Sequence, residues 1–273
     1  MNSSPSSNSS DSLVILPRPG FENRAGLLST QLGLPVFEAD QLEEYRGMAL
    51  VVDDSGLALQ LLGPGAPGPV RCDFVTGPAR HRRLYGGGKG QDIAKAVGLG
   101  QKGFKPRLLD LTAGLGRDGF VLASLGADVL MVERNPVVSA LLSDGLLRAR
   151  DLVGDDAELG SILDRLEAVC SEGADYLSGL AEELKPDVIF LDPMFPPREK
   201  SGKVKKEMQL FHQLVGTEGE DSDQLLPLAL SHARYRVVVK RPSHAPYLNN
   251  QAPGYSLKGK STRFDVYPLK KLP

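Results

Sequence analysis

Apolar residues in this chain fall into short runs separated by glycine, proline and polar turns, and the rhythm of those runs changes near residue 107. Before that point the runs at 13–16, 49–52, 57–62 and 70–75 are bounded by Gly and Pro, which predicts a small strand-rich unit with one helix over 23–33. The Gly- and Pro-dense stretch 63–69 has an apolar run on either side and reads as a hairpin loop. From 107 onward the order becomes strand, glycine turn, helix. Strands are predicted at 107–111, 128–132, 166–170, 188–191 and 236–239, and helices at 117–125, 136–150, 204–215 and 223–233. Val137, Leu141, Leu142 and Leu146 give the second of these helices an apolar stripe. Runs at 255–258 and 263–267 predict a hairpin that closes the sheet edge. Repeated strand-helix units with right-handed crossovers build a doubly wound α/β fold with a mainly parallel seven-stranded sheet. The expected division is a disordered tail over 1–12, a small α+β subdomain over 13–80 and a larger domain over 81–273.

Composition narrows the class. A chain of 273 residues with 41% hydrophobic content can bury a core without staples. Cys72 and Cys170 are its only cysteines, too few for a disulfide framework or a cysteine-based zinc site, and His81, His212, His232 and His244 lack metal-ligand spacing, so no metal is expected. No apolar stretch approaches the ~20 residues that cross a bilayer. The Ser- and Asn-rich opening has neither a basic leader nor an apolar core, and a soluble cytoplasmic protein is expected. The formal net charge of -2 means that a nucleic-acid partner has to be held by local patches. Candidates are His81-Arg82-Arg83 before the glycine loop that carries Lys89, the run with Lys203, Lys205 and Lys206, the pair Lys240-Arg241, and the segment 258–263.

Two motifs carry chemistry. The first strand leads into Asp110-Leu111-Thr112-Ala113-Gly114-Leu115-Gly116-Arg117-Asp118, where glycines permit a sharp turn and close approach of a ligand, and the helix beyond favours an anion. Glu133 ends the second strand about 20 residues on, the offset at which an acid grips a ribose diol. The third glycine of a dinucleotide fingerprint is missing, as is the Gly-Lys-Ser/Thr of a phosphate loop. A single nucleoside with a short charged tail fits better, and S-adenosylmethionine answers that description. Its carboxylate would lie by the turn at 114–118, its ribose by Glu133 and its adenine between Arg134 and the loop at 171–173. The second motif, Asp192-Pro193-Met194-Phe195-Pro196-Pro197, follows the apolar run 187–191 and so falls in the crevice beyond the strand ends. A carboxylate beside a carbonyl accepts both hydrogens of a planar exocyclic amine, and the Phe195 ring gives a base a stacking face.

With these blocks in place, the chain resembles class I S-adenosylmethionine-dependent methyltransferases, and more narrowly the ribosomal small-subunit methyltransferase J family. The resemblance rests on His81-Arg82-Arg83 with Gly86-Gly87-Gly88, the 110–118 turn, Glu133-Arg134-Asn135-Pro136-Val137-Val138, Leu191-Asp192-Pro193-Met194-Phe195-Pro196, Val204-Lys205-Lys206-Glu207-Met208 and Val237-Val238-Val239-Lys240-Arg241-Pro242. It runs from about 81 to 267. It implies a Rossmann-like fold and methylation of the exocyclic N2 amine of a guanosine near the 3′ end of 16S ribosomal RNA, on naked RNA or on the small ribosomal subunit. It also implies cofactor contacts on Arg117, Asp118, Glu133, Arg134, Glu172, Gly173 and Asp192, with Asp110, Gly114 and Gly116 in the turn. Glu172-Gly173 departs from the small hydroxyl residues associated with the family, and the Ser-rich tail lies outside the resemblance. The roles expected at the reacting centre are amine capture by Asp192 and the Pro193 carbonyl, and stacking by Phe195. Two other readings use the same residues: an amine methyltransferase acting on DNA adenine or protein glutamine, and a non-catalytic RNA-binding assembly factor that kept the fold.

Overall fold

In the structure, a computed structural model that describes residues 13–38, 45–154, 156–194, 214 and 220–273, the N-terminal apolar runs pair with one another. Strand β1 (Val14–Pro17) lies parallel to β2 (Met48–Asp53), and β2 turns back antiparallel into β3 (Gly56–Leu61). Helix α1 (Glu22–Leu32) ends at Gly33, whose φ of 66° is a left-handed stop that glycine adopts without a Cβ clash. Alternate strand residues share a face, so Val14 and Leu16 meet Ala49, Val51 and Ala58 in one buried cluster with Tyr45. The loop at 63–69 does return the chain to this sheet, where Val70 exchanges backbone hydrogen bonds with Leu59. The expected strand over 70–75 goes no further than that bridge. The Asp73 carboxylate accepts the backbone N–H groups of Val75 and Thr76 at 2.8 and 2.9 Å, which diverts donors a ladder would need. The compact unit that holds this sheet takes the chain as far as Cys72 and also includes Leu214, and the second begins at Asp73.

The second unit is built on β4 (Arg107–Asp110), β5 (Asp128–Glu133), β6 (Leu166–Cys170), β7 (Val188–Leu191), β8 (Arg236–Pro242), β9 (Tyr255–Lys258) and β10 (Thr262–Pro268). These form a seven-stranded sheet in the order β6-β5-β4-β7-β8-β10-β9. Neighbours are parallel except β10, which is antiparallel to both β8 and β9. The C-terminal hairpin therefore forms as expected, with its second strand inserted between β8 and β9.

The helices are α2 (Gly77–Tyr85), α3 (Asp92–Val97), α4 (Arg117–Ser124), α5 (Pro136–Asp151), α6 (Ala157–Leu163), α7 (Gly173–Ser178) and α8 (Glu220–His232). Four of them, α2, α3, α6 and α7, were not expected from the sequence; none exceeds 9 residues, too few turns to print a periodic stripe. The helix expected over 204–215 lies outside the described residues apart from Leu214, which is helical.

Strand alternation loads both faces of the sheet. Leu109, Val132, Ile189 and Val237 face one side and pack with Leu177 of α7 and Leu226 of α8. Met131, next to Val132, faces the other side, where α4 and α5 approach so closely that a Cβ on Gly119 would sit 2.7 Å from its sulfur. Burial on both faces explains why these strands read as continuous apolar runs. Asn135 starts α5 by accepting the N–H groups of Val137 and Val138 at 3.0 and 3.2 Å.

The turn from β4 into α4 depends on Gly116. Its φ is 68°, and a Cβ there would meet Leu142 Cδ1 at 2.7 Å and Met131 Sδ at 3.0 Å. Gly116→Ala should therefore destabilise the protein by about 1–3 kcal/mol, through backbone strain and overpacking together. Urea unfolding measures this, and a midpoint equal to that of the wild type would show that the turn can relax around a methyl group.

Candidate functional site

Because β4, β7 and β8 are parallel neighbours, their carboxyl ends finish side by side, with Leu109 opposite Ile189 and Leu191 opposite Val239. The next residues along, Asp110, Asp192 and Lys240, are thus delivered to one place. Lys240 Nζ donates to Asp192 Oδ2 at 2.7 Å and to Asp118 Oδ2, in the first turn of α4, at 2.5 Å. Arg82 of α2 reaches Asp118 Oδ1 at 3.3 Å. The Asp192 backbone N–H donates to Thr112 Oγ1 at 2.6 Å, and the Thr112 N–H donates to Asp110 Oδ1 at 3.1 Å. Three carboxylates, one ammonium and one guanidinium form a continuous network around the glycine turn.

Burial sets the electrostatics of this cluster. Asp110 is only 2% exposed, and its carboxyl is pushed up to about 8. Loss of water is the main cause; the Thr112 N–H opposes it, and the negative charges of Asp118 and Asp192 add to it. The Asp192 carboxyl is also raised by burial, against the pull of Lys240 and with a further push from Asp118. Burial alone would lower the Lys240 ammonium, but Asp192 and Asp118 outweigh it and hold the group above its ordinary range.

On the adjoining side of the turn, Gly114 has a φ of 54°, and nothing lies within 4 Å of the place a Cβ would occupy. Glu133, buried at the end of β5, accepts the Gly114 N–H on Oε2 and the Asn135 N–H on Oε1, both at 2.8 Å. An open cradle over main-chain atoms, with a carboxylate beside it, fits a nucleoside that has hydroxyl groups and a charged tail. Arg117 is exposed at the start of α4. Arg134 Nη1 lies 3.9 Å from Glu172 Oε1, which brings together the loops after β5 and β6. Gly173 is buried, and a Cβ there would touch Leu225 and Leu111, so its smallness serves the packing of α7.

Pro193 is buried next to Asp192, while Phe195, Lys203, Lys205 and Lys206 lie outside the described residues. The remaining basic candidates divide by exposure. His81 is exposed, tilted against Tyr85 at 5.2 Å. Arg83 has a side chain 8% exposed and pairs with Asp156 at 2.7 Å. Arg241 is buried and donates through Nε to the Pro246 carbonyl at 3.3 Å. Arg263, in the basic 258–263 segment, donates to both oxygens of the buried Asp265 at 2.9 and 3.0 Å. Arg83, Lys240 and Arg241 were expected to point at phosphates; instead they are engaged inside the unit, because a cation withdrawn from water takes internal acceptors.

Sequence reasoning missed Thr112 as the anchor of the Asp192 backbone, and missed Lys240 as a bridge between two acids. The available signal for Lys240 was positional: it follows its strand as Asp192 follows the neighbouring one. Among the described residues there is no metal-binding cluster and no helix long and apolar enough to cross a membrane.

A glycine turn after β4, an acid ending β5, and a mainly parallel sheet with antiparallel β10 in this strand order define a class I, Rossmann-like methyltransferase that uses S-adenosylmethionine. Residues 30–269 match the family described as "Putative SAM-dependent methyltransferase". Over 266 residues the chain is 53% identical to Ribosomal RNA small subunit methyltransferase J of Cellvibrio japonicus, covering 96% of this chain and 99% of that protein. The protein of the same name from Pseudomonas aeruginosa is 52% identical over 242 residues, 89% of this chain and 88% of the relative. A crystal structure of a SAM-dependent methyltransferase from Neisseria gonorrhoeae matches with a TM-score of 0.71 at 37% identity, covering 93% of this chain and 95% of that one. The chain belongs to the ribosomal RNA small subunit methyltransferase J family.

The raised carboxyl of Asp110 has a pH signature. In the unfolded chain it titrates near its ordinary value of ~4, and in the folded protein near 8, so the folded state holds the extra proton between those limits. Its contribution to stability is fully present below about pH 4 and is lost progressively as pH rises to about 8. Asp110→Asn removes that dependence. Its stability relative to the wild type should climb between about pH 4 and 8 and then level off, which denaturant unfolding at several pH values will read. A constant difference across that range would place the Asp110 titration elsewhere.

Proposed function

We propose that this protein transfers a methyl group from S-adenosylmethionine to the exocyclic N2 amine of a guanosine near the 3′ end of 16S ribosomal RNA, in the small ribosomal subunit. The RNA class is supported by relatives that are named for small-subunit ribosomal RNA and match nearly end to end. The choice of an amine rests on one observation: Asp192 ends β7 beside the glycine turn, with its backbone N–H fixed by Thr112 and its Oδ2 fixed by Lys240. That leaves Oδ1 as the oxygen not engaged by Lys240, next to the Pro193 carbonyl.

A guanine amine is a poor nucleophile because its lone pair is delocalised into the ring. Asp192 Oδ1 and the Pro193 carbonyl accept its two hydrogens, which turns the lone pair out of the ring plane and toward the methyl donor. The bound cofactor supplies an electrophilic methyl group on its sulfonium. Asp192 need not remove a proton first; the nitrogen becomes acidic once alkylated, and the carboxylate then takes the proton. Lys240 is a positioning residue here, offsetting the burial of Asp192 and holding its plane. Glu133 holds the ribose hydroxyls, the 114–118 turn receives the methionine end, and Arg134, Glu172 and Gly173 border the adenine. Phe195 stacks on a base that has left its helix or was never paired. His81, Arg82, Lys203, Lys205 and Lys206 take phosphates, which makes affinity fall steeply with salt.

The deciding assay uses labelled S-adenosylmethionine and small subunits that lack the modification, followed by digestion to nucleosides. Label in N2-methylguanosine is the expected result. Label in another nucleoside moves the acceptor atom, whereas an unlabelled subunit together with undetectable cofactor binding returns the chain to an assembly-factor role.

The role of Lys240 has its own readout. In Lys240→Met the cation that lowers Asp192 is gone, so the acid limb of the kcat profile should move to higher pH, with kcat reduced and the cofactor dissociation constant within a few-fold of the wild type. An unmoved acid limb would make Lys240 a structural tie and nothing more.

A further inference from the structure

Arg236 opens β8 at the end of the strand away from Lys240. It is 9% exposed, and its Nη1 donates to the Ala96 carbonyl at 3.0 Å and to the Tyr255 hydroxyl at 3.2 Å. Its Nε is buried with no partner, and among the described residues no carboxylate stands within ion-pair distance of it. A buried guanidinium served only by neutral acceptors is electrostatically incomplete, since charges withdrawn from water are normally paired. The same residue lines a cavity of about 430 Å³ whose wall also carries Lys270, Lys271 and Gln101, and no acidic side chain. Both lysines are exposed and reach the cavity from the segment after β10. Gln101 is already committed, donating its amide to the Pro273 oxygen at 2.9 Å.

We propose that this cavity is an anion site for a phosphate group, separate from the methyl-transfer site at the other end of the sheet. The guanidinium supplies a fixed positive charge, with Nη2 as the nitrogen not engaged by Ala96 or Tyr255, and the lysines supply point charges at the mouth. The phosphate belongs to a free phosphate compound or to an RNA backbone, and the chemistry of recognition is the same for both.

The probe is inorganic phosphate, titrated into the full-length protein at constant ionic strength and followed by calorimetry and thermal unfolding. Saturable binding and a rise in Tm of about 2 °C or more are expected for the wild type. In Lys270→Ala/Lys271→Ala, where exposed side chains are trimmed and the fold is left alone, affinity should drop by about 10-fold or more. No saturable binding to the wild type, or equal responses in both proteins, overturns the site; the comparison also removes the general stabilising effect that phosphate has on any folded protein. Arg236→Met is the second variant. It should be at least as stable as the wild type in phosphate-free buffer, because an uncompensated charge has been replaced by an apolar chain, and it should no longer respond to phosphate. A retained response overturns the proposal. The source is then read from methyl transfer to small subunits: a raised KM with unchanged kcat and a shallower salt dependence in the lysine variant assigns the phosphate to RNA, and an unchanged KM assigns it to a free compound.

Discussion

The ammonium of Lys240, held between Asp118 and Asp192, is the contact on which the rest of the site depends. Two ionised carboxylates drawn onto one ammonium would repel each other without it, and here they come from different places: Asp118 from the first turn of α4, Asp192 from just beyond the end of β7. The bridge therefore fixes the distance between the helix start that shapes the glycine turn and the strand end that carries Asp192. Removing one member of a buried pair costs about 3–5 kcal/mol. The value here is smaller, because the side chains of Lys240 and Asp192 retain 27% and 37% of their exposure. Arg82 extends the same network onto α2, so a loss at Lys240 would reach beyond the two acids it touches.

Charge is graded across the cluster. Asp110 lies deepest and favours its neutral form up to about pH 8, which spares the site a third full negative charge. Thr112 passes this arrangement on, receiving the Asp192 N–H on its hydroxyl while giving its own N–H to Asp110. Glu133, on the other side of the turn, has both oxygens in hydrogen bonds to main-chain N–H groups and is thereby fixed in orientation before any ligand arrives. The turn is held from both flanks by carboxylates, one set linked through side chains and the other directly to the backbone.

Much of the larger unit was legible in the sequence because its central strands are buried on both faces and print uninterrupted apolar runs. Val188–Leu191 and Asp128–Glu133 are found within a residue of where the runs place them. The short helices α2, α3, α6 and α7 left no such trace, since their formation depends on what they pack against. The run at 70–75 misled for a local reason, the capture of two N–H groups by Asp73. That Asp110, the glycine turn, Glu133 and Asp192 gather at the strand ends could be read because spacing along the chain maps directly onto those ends. The basic residues were harder: the position of Lys240 after its strand hinted at the site, but whether it or Arg83 meets an internal acid is decided by strand register and helix docking.

The placement of β10 bears on how the sheet comes into being. This strand emerges from synthesis after β9, yet among the described residues it lies inside β9 and is the neighbour of β8 on that side. Until it arrives, β8 presents an unpaired edge and β9 has nowhere to attach. The ion pair Arg263–Asp265, both members on β10, enters with the same strand. In order of synthesis, this edge of the sheet is therefore completed by the last strand, which carries buried charge with it. A nascent chain stalled before β10 would hold the glycine turn and Asp192 beside an open sheet edge, a form suited to capture by chaperones or by another copy of itself.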